Sequence, residues 1–344
     1  MIRENSFLYN DKNLYTGDTL KTKNSIMAKK LQRPDFAYMN GKLVPWDEAV
    51  LHVGTEAVTR GVNVFEGLKG YWQGEQRFGL VFLERHYKRL LRSAKLLHIP
   101  CPWTFEQYEQ AIFELMGALL QKDRDMWIRT TLYVIEGAWG ENNKADLVMC
   151  AYHQDKTQPE PIHMGVSTWM RANDVMLPAR IKTSSNYQVG RLARTEGRPR
   201  GMEEMVLLNQ QGRVAEATGS CILMVRDGVV YTPPASEGAL ESITLDYSEA
   251  LAKSLGIPFV RRPIDRTELL IADEIAICGT LAELVPVKKI EDQELDPYGP
   301  VLSKIREKFF NTVRGIESIP ELEMSFVPNS MMKKINAAPE AVNH

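Results

Sequence analysis

Hydrophobic residues recur at helical spacing in two neighbouring stretches of the chain. Between positions 83 and 97 the apolar side chains return every three or four residues, and the basic side chains occupy another face. The next stretch begins with Thr104 and Gln107, which have the spacing of a capping box, and its apolar stripe covers residues 105–119. The pattern predicts two consecutive amphipathic helices.

Short runs rich in β-branched and aromatic residues predict strands on both sides of a polar, proline-containing segment. Gly137 and Gly140 mark a turn between the first two runs, and Asp227-Gly228 has the composition of a two-residue hairpin turn. A further apolar stripe predicts a helix over residues 242–255. This alternation of elements predicts an α/β or α+β fold. The predicted strands cover residues 126–135, 146–152, 163–169, 204–209, 221–226, 229–231, 259–262 and 274–278.

The polar segment 155–161 separates the two halves of this pattern. It carries two prolines, which disfavour a helix and exclude a central strand. We therefore predict a domain boundary there. The predicted organisation is an N-terminal extension (residues 1–34), a small N-terminal α/β domain (35–154), a linker (155–162), a larger C-terminal α/β domain (163–320) and a C-terminal tail (321–344).

Composition narrows the class of protein. The chain has 344 residues, of which 44% are hydrophobic and 25% charged, and its formal net charge is −2. These values are typical of a globular protein of about two domains, and they argue against a disordered, collagenous or coiled-coil chain. Because no run of five or more like charges occurs, we expect neither a nucleic acid nor a membrane as a partner.

The cysteines and the N-terminus indicate a cytoplasmic setting. The four cysteines are far apart and form no CxxC pair, which favours reduced thiols and gives no metal-binding motif. Residues 1–32 have no apolar core of signal-peptide type, and no other apolar stretch has the length of a membrane span. We expect a cytoplasmic protein without a bound metal.

The common nucleotide-binding and hydrolase motifs are missing from the sequence. It contains no GxGxxG, GxxxxGK[ST], HExxH or GxSxG pattern. Three scattered residues stand out instead: Lys182 before a Ser/Asn-rich turn, Glu216 near a glycine-flanked turn, and Arg89 on a predicted helix. Taken singly, these would be a solvated lysine, a loop carboxylate and an exposed helix arginine.

A series of short motifs runs through most of the chain in a characteristic order. The motifs are Val64-Phe-Glu-Gly67, His86-x-x-Arg89-Leu90, Ile128-Arg129, Lys182-x4-Tyr187, Gly212-x-Val-x-Glu216, Thr232-Pro233, Ile243-Thr244, Ala272-Asp-Glu274, Gly279-Thr280, Glu283 and Pro286-Val287. This series resembles the class IV aminotransferases, a family of pyridoxal-phosphate enzymes, and within it most closely the branched-chain amino acid aminotransferases. The resemblance implies fold type IV: two α/β domains, a C-terminal pseudo-barrel and a cofactor in the cleft between them.

The resemblance implies pyridoxal 5′-phosphate as the cofactor and assigns its contacts. Lys182 would bond to the cofactor aldehyde and later move the proton of the substrate Cα. Tyr187 would hydrogen-bond the 3′ oxygen of the cofactor, and Glu216 would keep the ring nitrogen protonated so that the ring can withdraw electrons. The phosphate would be bound, and the ring packed, by Arg89, Leu240, Ile243, Thr244 and Thr280.

Substrate contacts are implied for the predicted strand that contains Arg129. Alternation places Trp127 and Arg129 on one face of this strand. Arg129 matches the arginine that recognises the distal carboxylate of glutamate in branched-chain enzymes, and a buried ion pair is its alternative role. Phe65 would form a wall of the site, and the turn Gly279-Thr280-Leu281 would offer backbone amides to the α-carboxylate.

The sequence departs from the family pattern in the same region. Arg60 and Trp127 stand where many branched-chain enzymes have tyrosines, and Glu241 and Leu281 alter two loops that touch the cofactor or the substrate. Arg60 would either add a second carboxylate contact or turn away into a surface salt bridge, and the sequence favours neither. These departures affect the predicted substrate contacts more than the predicted cofactor contacts.

The activity that the resemblance implies is amino transfer by a ping-pong mechanism. The expected donor is an apolar or branched-chain L-amino acid, and the expected acceptor is a 2-oxo acid such as 2-oxoglutarate. The expected assembly is a homodimer or a higher homo-oligomer. A D-amino-acid or (R)-amine transaminase and an aminodeoxychorismate lyase-like enzyme are alternatives within the fold. A pyridoxal-phosphate-binding protein without turnover is the alternative outside it, although a mere binder would not need both Lys182 and Glu216.

Overall fold

The structure, a computed structural model, describes residues 32–74 and 77–332. In this part of the chain the strands form two sheets, one of seven strands and one of nine. Neighbouring strands of the first sheet are all antiparallel, whereas the second sheet also contains parallel pairs. Residues 155–161 are an irregular connection between the two sheets.

The first sheet is built mainly from the N-terminal half of the chain. Its strands and the accompanying helices are β1 (Phe36–Met39), β2 (Lys42–Pro45), α1 (Glu56–Thr59), β3 (Asn63–Gln73), β4 (Arg77–Val81), α2 (Leu83–Leu96), α3 (Phe105–Leu119), β5 (Asp125–Ala138) and β6 (Glu141–Gln154). The strands follow the order β4-β3-β5-β6-β1-β2. The apolar stripes of α2 and α3 pack with these strands in one hydrophobic core, which fully buries Leu90 and Ile112.

The second sheet follows the irregular connection. Its strands and helices are β7 (Ile162–Met170), α4 (Gln188–Gly197), β8 (Glu204–Leu208), β9 (Val214–Ala217), β10 (Cys221–Arg226), β11 (Val229–Thr232), α5 (Ile243–Ser254), β12 (Phe259–Arg261), β13 (Glu274–Gly279), β14 (Glu283–Ile290), β15 (Gln293–Glu294) and α6 (Leu302–Val313). The order is β12-β11-β10-β13-β14-β7-β8-β9, and β15 pairs with β14. The core between α5, α6 and this sheet also takes in Tyr71 and Phe82, so the two sheets share apolar packing.

The second sheet curls until its two edges meet. The chain leaves the edge strand β12 and continues to Ile264 and Asp265. The amide of Val214, in the opposite edge strand β9, donates to the carbonyl of Ile264 at 2.9 Å, and Arg213 forms a bridge with Asp265. These contacts close the sheet into a pseudo-barrel.

The locally encoded elements lie where the sequence predicts them. Helix α2 spans Leu83–Leu96, and α3 begins after Thr104, whose hydroxyl accepts the Gln107 amide at 3.3 Å to form the predicted capping box. Asp227 and Gly228 join β10 to β11 with φ angles of 51° and 75°. Two consecutive positive φ angles are the geometry of a type I′ hairpin turn, so this prediction is also confirmed.

The chain after Pro320 differs from the tail that the sequence predicts. Residues Met324–Phe326 form β16, which pairs antiparallel with β4 and completes the first sheet as its seventh strand. A run of three residues at a sheet edge carries too little alternation to be recognised from sequence. The predicted extension up to residue 31 and the last part of the tail, from residue 333, lie outside the described residues.

None of the helices in residues 32–74 and 77–332 combines the length and the apolar character needed to cross a lipid bilayer.

Candidate active site

Lys182 lies in the irregular segment between β7 and α4, and its backbone is tied to the first sheet. Its carbonyl accepts the Phe65 amide of β3 at 2.9 Å, and its amide donates to the Ser93 hydroxyl of α2 at 3.0 Å. A 3₁₀ turn follows at once and brings Tyr187 back, so that the Lys182 amine Nζ donates to the Tyr187 Oη at 2.7 Å. The amine is thus held at the junction of the two sheets.

Glu216 is a buried carboxylate in the middle of β9. Only 6% of its surface is exposed, although the sequence taken singly favours a solvated loop residue at this position. Its Oε2 accepts the backbone amide of Leu240 at 3.0 Å, and its Oε1 pairs with Arg171 at 3.0 Å. The two donors, one of them charged, compensate the cost of burying a carboxylate.

Arg89 projects from α2 into the interior and is 3% exposed. Its Nε and Nη2 bind the two carboxylate oxygens of Glu66 at 2.7 and 2.8 Å, and its Nη1 donates to the carbonyl of Glu241 at 2.8 Å. The fork-shaped pair fixes the guanidinium plane. Because the guanidinium has five N–H groups, donors remain on Nη1 and Nη2 for a ligand.

Glu66 belongs to a quoted motif, but the sequence assigned it no role. It is fully buried, and a ring nitrogen of His86, Nδ1, lies 2.7 Å from its Oε2. Burial raises the pKa of Glu66, but the charge and hydrogen bonds of Arg89, with a smaller effect of His86, lower it to about 2. Burial lowers the pKa of His86, against the opposing effect of Glu66. Glu66 is therefore the permanent counter-charge of Arg89.

The start of α5 and the β13–β14 turn, to which the resemblance assigns the phosphate, lie beside each other. Ser242 caps α5 by accepting the Leu245 amide at 3.2 Å, and Ile243 and Thr244 are the first helical residues. Amides in the first turn of a helix have no intrahelical partner, and they attract anions. The Thr244 hydroxyl lies 3.4 Å from that of Thr280, which follows Gly279 in the turn.

Arg129 lies in β5 of the first sheet, where it pairs with Gly67 of β3. Its guanidinium carbon is 3.7 Å from the centre of the Phe65 ring, which also lies 5.0 Å from the Lys182 amine. Within residues 32–74 and 77–332 no carboxylate forms a salt bridge with Arg129, so the structure gives no buried ion pair there. Burial lowers the pKa of Arg129.

Glycine at position 67 leaves room for Trp127. A side chain there would begin 3.3 Å from the indole nitrogen of Trp127, and that indole stacks on Tyr152 with 5.4 Å between ring centres. The tryptophan that departs from the family pattern is therefore packed into the sheet face that also carries Arg129. Leu281, another of the departures, follows Thr280 in the β13–β14 turn and is half-buried.

Arg60 adopts the surface alternative. Its guanidinium forms a salt bridge with Glu56 one helical turn earlier and lies 5.2 Å from the centre of the exposed Trp139 ring. With 46% of its side chain exposed, Arg60 is far more open to solvent than Arg89 or Arg129.

A continuous set of contacts brings the other predicted residues together. Phe65 and Tyr187 contact each other through their rings at 5.1 Å, and Arg171 links the backbone of Asn186, next to Tyr187, to Glu216. Glu216 in turn binds the amide of Leu240, whose neighbour accepts a hydrogen bond from Arg89. The sequence reasoning missed Glu66, His86 and Arg171. The quoted motifs contain the first two, while Arg171 lies outside all of them.

This donor set fits pyridoxal 5′-phosphate. The cofactor needs an amine for its aldehyde, a carboxylate for its ring nitrogen and a cationic, amide-rich pocket for its phosphate. Lys182, Glu216 and the Arg89–α5 region supply one group of each kind. The fold and the site together define a pyridoxal-phosphate-dependent enzyme with a curled second sheet.

The family is set by comparison with known proteins. Residues 63–290 match the model of the family described as amino-transferase class IV. Because this match covers more than half of the chain, the protein belongs to the class IV aminotransferases, and both the predicted family and fold type IV are confirmed. The chain is an aminotransferase that uses pyridoxal phosphate.

Relatives and solved structures of the same kind cover most of the chain. The chain is 36% identical over 276 residues to a probable branched-chain-amino-acid aminotransferase of Synechocystis sp., covering 78% of this chain and 90% of the relative. It is 32% identical over 301 residues to the branched-chain-amino-acid aminotransferase of Escherichia coli K12, covering 83% and 94%. The branched-chain aminotransferase of Thermoproteus uzoniensis with norvaline superposes with a TM-score of 0.79 at 33% identity, covering 85% and 99%.

Proposed function

We propose that the protein transfers the amino group of apolar, branched-chain L-amino acids to 2-oxoglutarate. The observation that carries this proposal is the position of Arg129, a half-buried arginine without a carboxylate partner among the described residues, beside the ring that also contacts Lys182. A dicarboxylic acid bonded at Lys182 would supply the missing anion. The names of the relatives support the same donor class.

The side chains around this position favour an apolar donor. Phe65 is 5% exposed, and Trp127 and Leu281 are half-buried, so an aliphatic side chain would exchange water for apolar contact. The turn Gly279-Thr280-Leu281 offers backbone amides to the α-carboxylate. An apolar wall beside a single arginine lets one pocket accept both leucine and glutamate in alternate half-reactions.

Each of the assigned site residues has a separate role in the reaction. Pyridoxal phosphate, when bound, supplies an aldehyde that takes up the amino group and a ring that withdraws electrons from the carbon beside it. Lys182 removes the proton from the substrate Cα with Nζ and returns it to the carbon that receives the amino group. Tyr187, 2.7 Å away, orients that amine. Glu216 presents a negative charge to the ring nitrogen, and Arg89 with the α5 amides binds the phosphate.

We further propose that two copies of this chain assemble as a dimer in the cytoplasm. Val53 and Val58 are 75% and 53% exposed, and Trp139, next to Arg60, is 89% exposed. Val58 lies in α1, and Trp139 contacts Arg60, the residue that ends this helix. A patch of exposed apolar side chains is typical of a protein interface. Sedimentation equilibrium at micromolar concentration should give twice the chain mass, and a monomer at all concentrations would contradict the proposal.

The substrate assignment is tested by half-reactions of the holoenzyme. L-leucine, D-leucine and a primary amine are added singly, and conversion of the bound cofactor is followed by its absorption band. We expect conversion by L-leucine, reversal by 2-oxoglutarate, and no band reducible by borohydride in Lys182→Ala. Conversion by D-leucine or the amine alone would replace the proposal with one of the other activities of the fold. No conversion by any of the three compounds would contradict it.

A further inference from the structure

One buried arginine outside all the predicted motifs contacts the three segments that surround the cofactor cleft. Arg171 directly follows β7, and its side chain is 6% exposed. Its Nη2 pairs with the Glu216 Oε1 at 3.0 Å, its Nη1 donates to the Asn186 carbonyl at 3.0 Å, and its Nε donates to the Gly238 carbonyl at 3.3 Å. All three nitrogens of the guanidinium are engaged.

Each of these contacts lies beside a residue assigned to the cofactor. Asn186 precedes Tyr187, the partner of the Lys182 amine, within the 3₁₀ turn Ser184–Tyr187. Gly238 lies two positions before Leu240, whose amide binds the other oxygen of Glu216 at 3.0 Å. Arg171 thus joins the lysine segment, the carboxylate strand and the loop that leads into α5.

The geometry requires an arginine. A planar guanidinium can donate in three directions at once, whereas a lysine presents a single ammonium group on a flexible stem. The Leu240 amide binds only one oxygen of Glu216, so without Arg171 the described residues would leave the buried carboxylate a single donor and no counter-charge. The carboxylate could then rotate or draw in water.

We propose that Arg171 is a positioning residue, which fixes the Glu216 carboxylate and thereby the orientation of the cofactor ring relative to Lys182. The proposal rests on the assignment of Glu216 to the ring nitrogen. Arg171 itself does not contact the reacting atoms. Its effect should therefore appear in how the ring is bound, with the phosphate pocket of Arg89 and α5 left intact.

The test compares ligands that report on the ring and on the phosphate. The dissociation constants of pyridoxal, which lacks the phosphate, and of inorganic phosphate are measured by dialysis after the cofactor has been removed from the holoenzyme. The variants are Arg171→Met, Arg171→Lys and Arg314→Met. Arg314 is a matched control, because it is also a largely buried arginine bonded to a carboxylate, that of Asp125 at 2.6 Å, on other elements.

We expect Arg171→Met to weaken pyridoxal binding by about tenfold to a hundredfold, the factor that corresponds to one lost charged hydrogen bond. Phosphate binding should change by less than about twofold, and the absorption maximum of the bound cofactor should shift. Arg171→Lys should recover part of the affinity, since it keeps the positive charge opposite Glu216. Arg314→Met should lower the melting temperature without changing the ratio of the two affinities.

Three results would overturn the proposal. If Arg171→Met and Arg314→Met lose affinity for pyridoxal and phosphate by the same factor, Arg171 contributes only to general stability. If Arg171→Met binds pyridoxal like the unaltered protein while Glu216→Gln does not, Arg171 does not position the carboxylate. Unchanged pyridoxal binding in Glu216→Gln as well would remove the assignment of Glu216, and the role of Arg171 with it.

Discussion

Two buried arginine–carboxylate pairs lie on the two sides of the cleft. One pair is assigned to the cofactor through its arginine and the other through its carboxylate, so the pairs present opposite charges. On the side of the first sheet, Glu66 lies behind and Arg89 keeps free N–H groups towards the start of α5. On the side of the second sheet, Arg171 lies behind and Glu216 has the assigned contact. The comparison shows that the same kind of ion pair can bind either end of a ligand. An arginine held by a carboxylate binds the anionic end, and a carboxylate held by an arginine binds the cationic end.

Neutralising Glu66, the buried carboxylate partner of Arg89, should have the largest effect on stability. Glu66→Gln leaves a fully buried guanidinium without its counter-charge, which costs about 3–5 kcal/mol of stability. Urea unfolding of the cofactor-free protein measures this loss. Glu136→Gln, which removes an exposed carboxylate paired with Lys144, is the control and should change little. Equal effects of the two substitutions would mean that the buried pair is not special.

Neutralising Glu216, the carboxylate of the other pair, should affect chemistry more than stability. Glu216→Gln keeps the size and the hydrogen-bond acceptor of the side chain but loses the charge opposite the ring nitrogen. We expect the half-reaction rate with L-leucine to fall by about a hundredfold or more, and the loss of unfolding free energy to be smaller than in Glu66→Gln. A rate within twofold of the unaltered enzyme would contradict the assigned contact.

Arg129 sharpens the comparison because it is a half-buried arginine whose counter-charge is assigned to the substrate. Arg129→Met should raise the KM for 2-oxoglutarate by about tenfold or more, the value of a charged hydrogen bond. The half-reaction with L-leucine should stay within about threefold, since leucine has no distal carboxylate. Equal losses for both substrates would point to a packing role instead.

His86, whose ring lies beside Glu66, should make the stability of the fold sensitive to acid. The folded-state pKa of His86 lies below its ordinary value of 6.5, so the unfolded chain binds more protons and stability falls as the pH drops below 6.5. Glu66 adds to this at lower pH, between 4.5 and about 2. His86→Asn keeps a donor for Glu66 without a titrating ring. Urea unfolding at pH 7.5 and 5.5 should show a smaller pH effect in this variant.

The smallest effect is expected at Arg60, whose ion pair with Glu56 is open to solvent. Arg60→Ala should change the unfolding free energy by less than about 0.5 kcal/mol, because exposed ion pairs contribute little. Steady-state kinetics with leucine and 2-oxoglutarate should stay within twofold. A tenfold rise of either KM would restore Arg60 as a carboxylate contact.

The same comparison explains which parts of the site could be predicted from sequence. Arg89 and Glu216 stand in motifs whose residue types match a cofactor group, so resemblance was enough to assign them. The partners of Arg171 lie at positions 186, 216 and 238, on three separate segments. Only the folded chain brings such distant positions together, and no local pattern marks them.

The elements of the fold likewise divide into those that the local sequence predicts and those that it does not. Helices α2, α3 and α5 have amphipathic stripes, and α3 and α5 also have side-chain caps within their own sequence, so local physics predicts them. Strand β3 was not predicted, because most of its residues are buried on both faces and show no alternation of polar and apolar positions. Strand β16 was missed because its pairing depends entirely on β4.

The return of the chain to β4 also has a consequence for biosynthesis. In the described sheet, the outer edge of β4 is paired only by β16, and the whole second sheet is translated between the two. A nascent chain on the ribosome therefore carries an open strand edge through most of its elongation, a state in which edges recruit foreign strands. Truncation before residue 324 would make that transient exposure permanent.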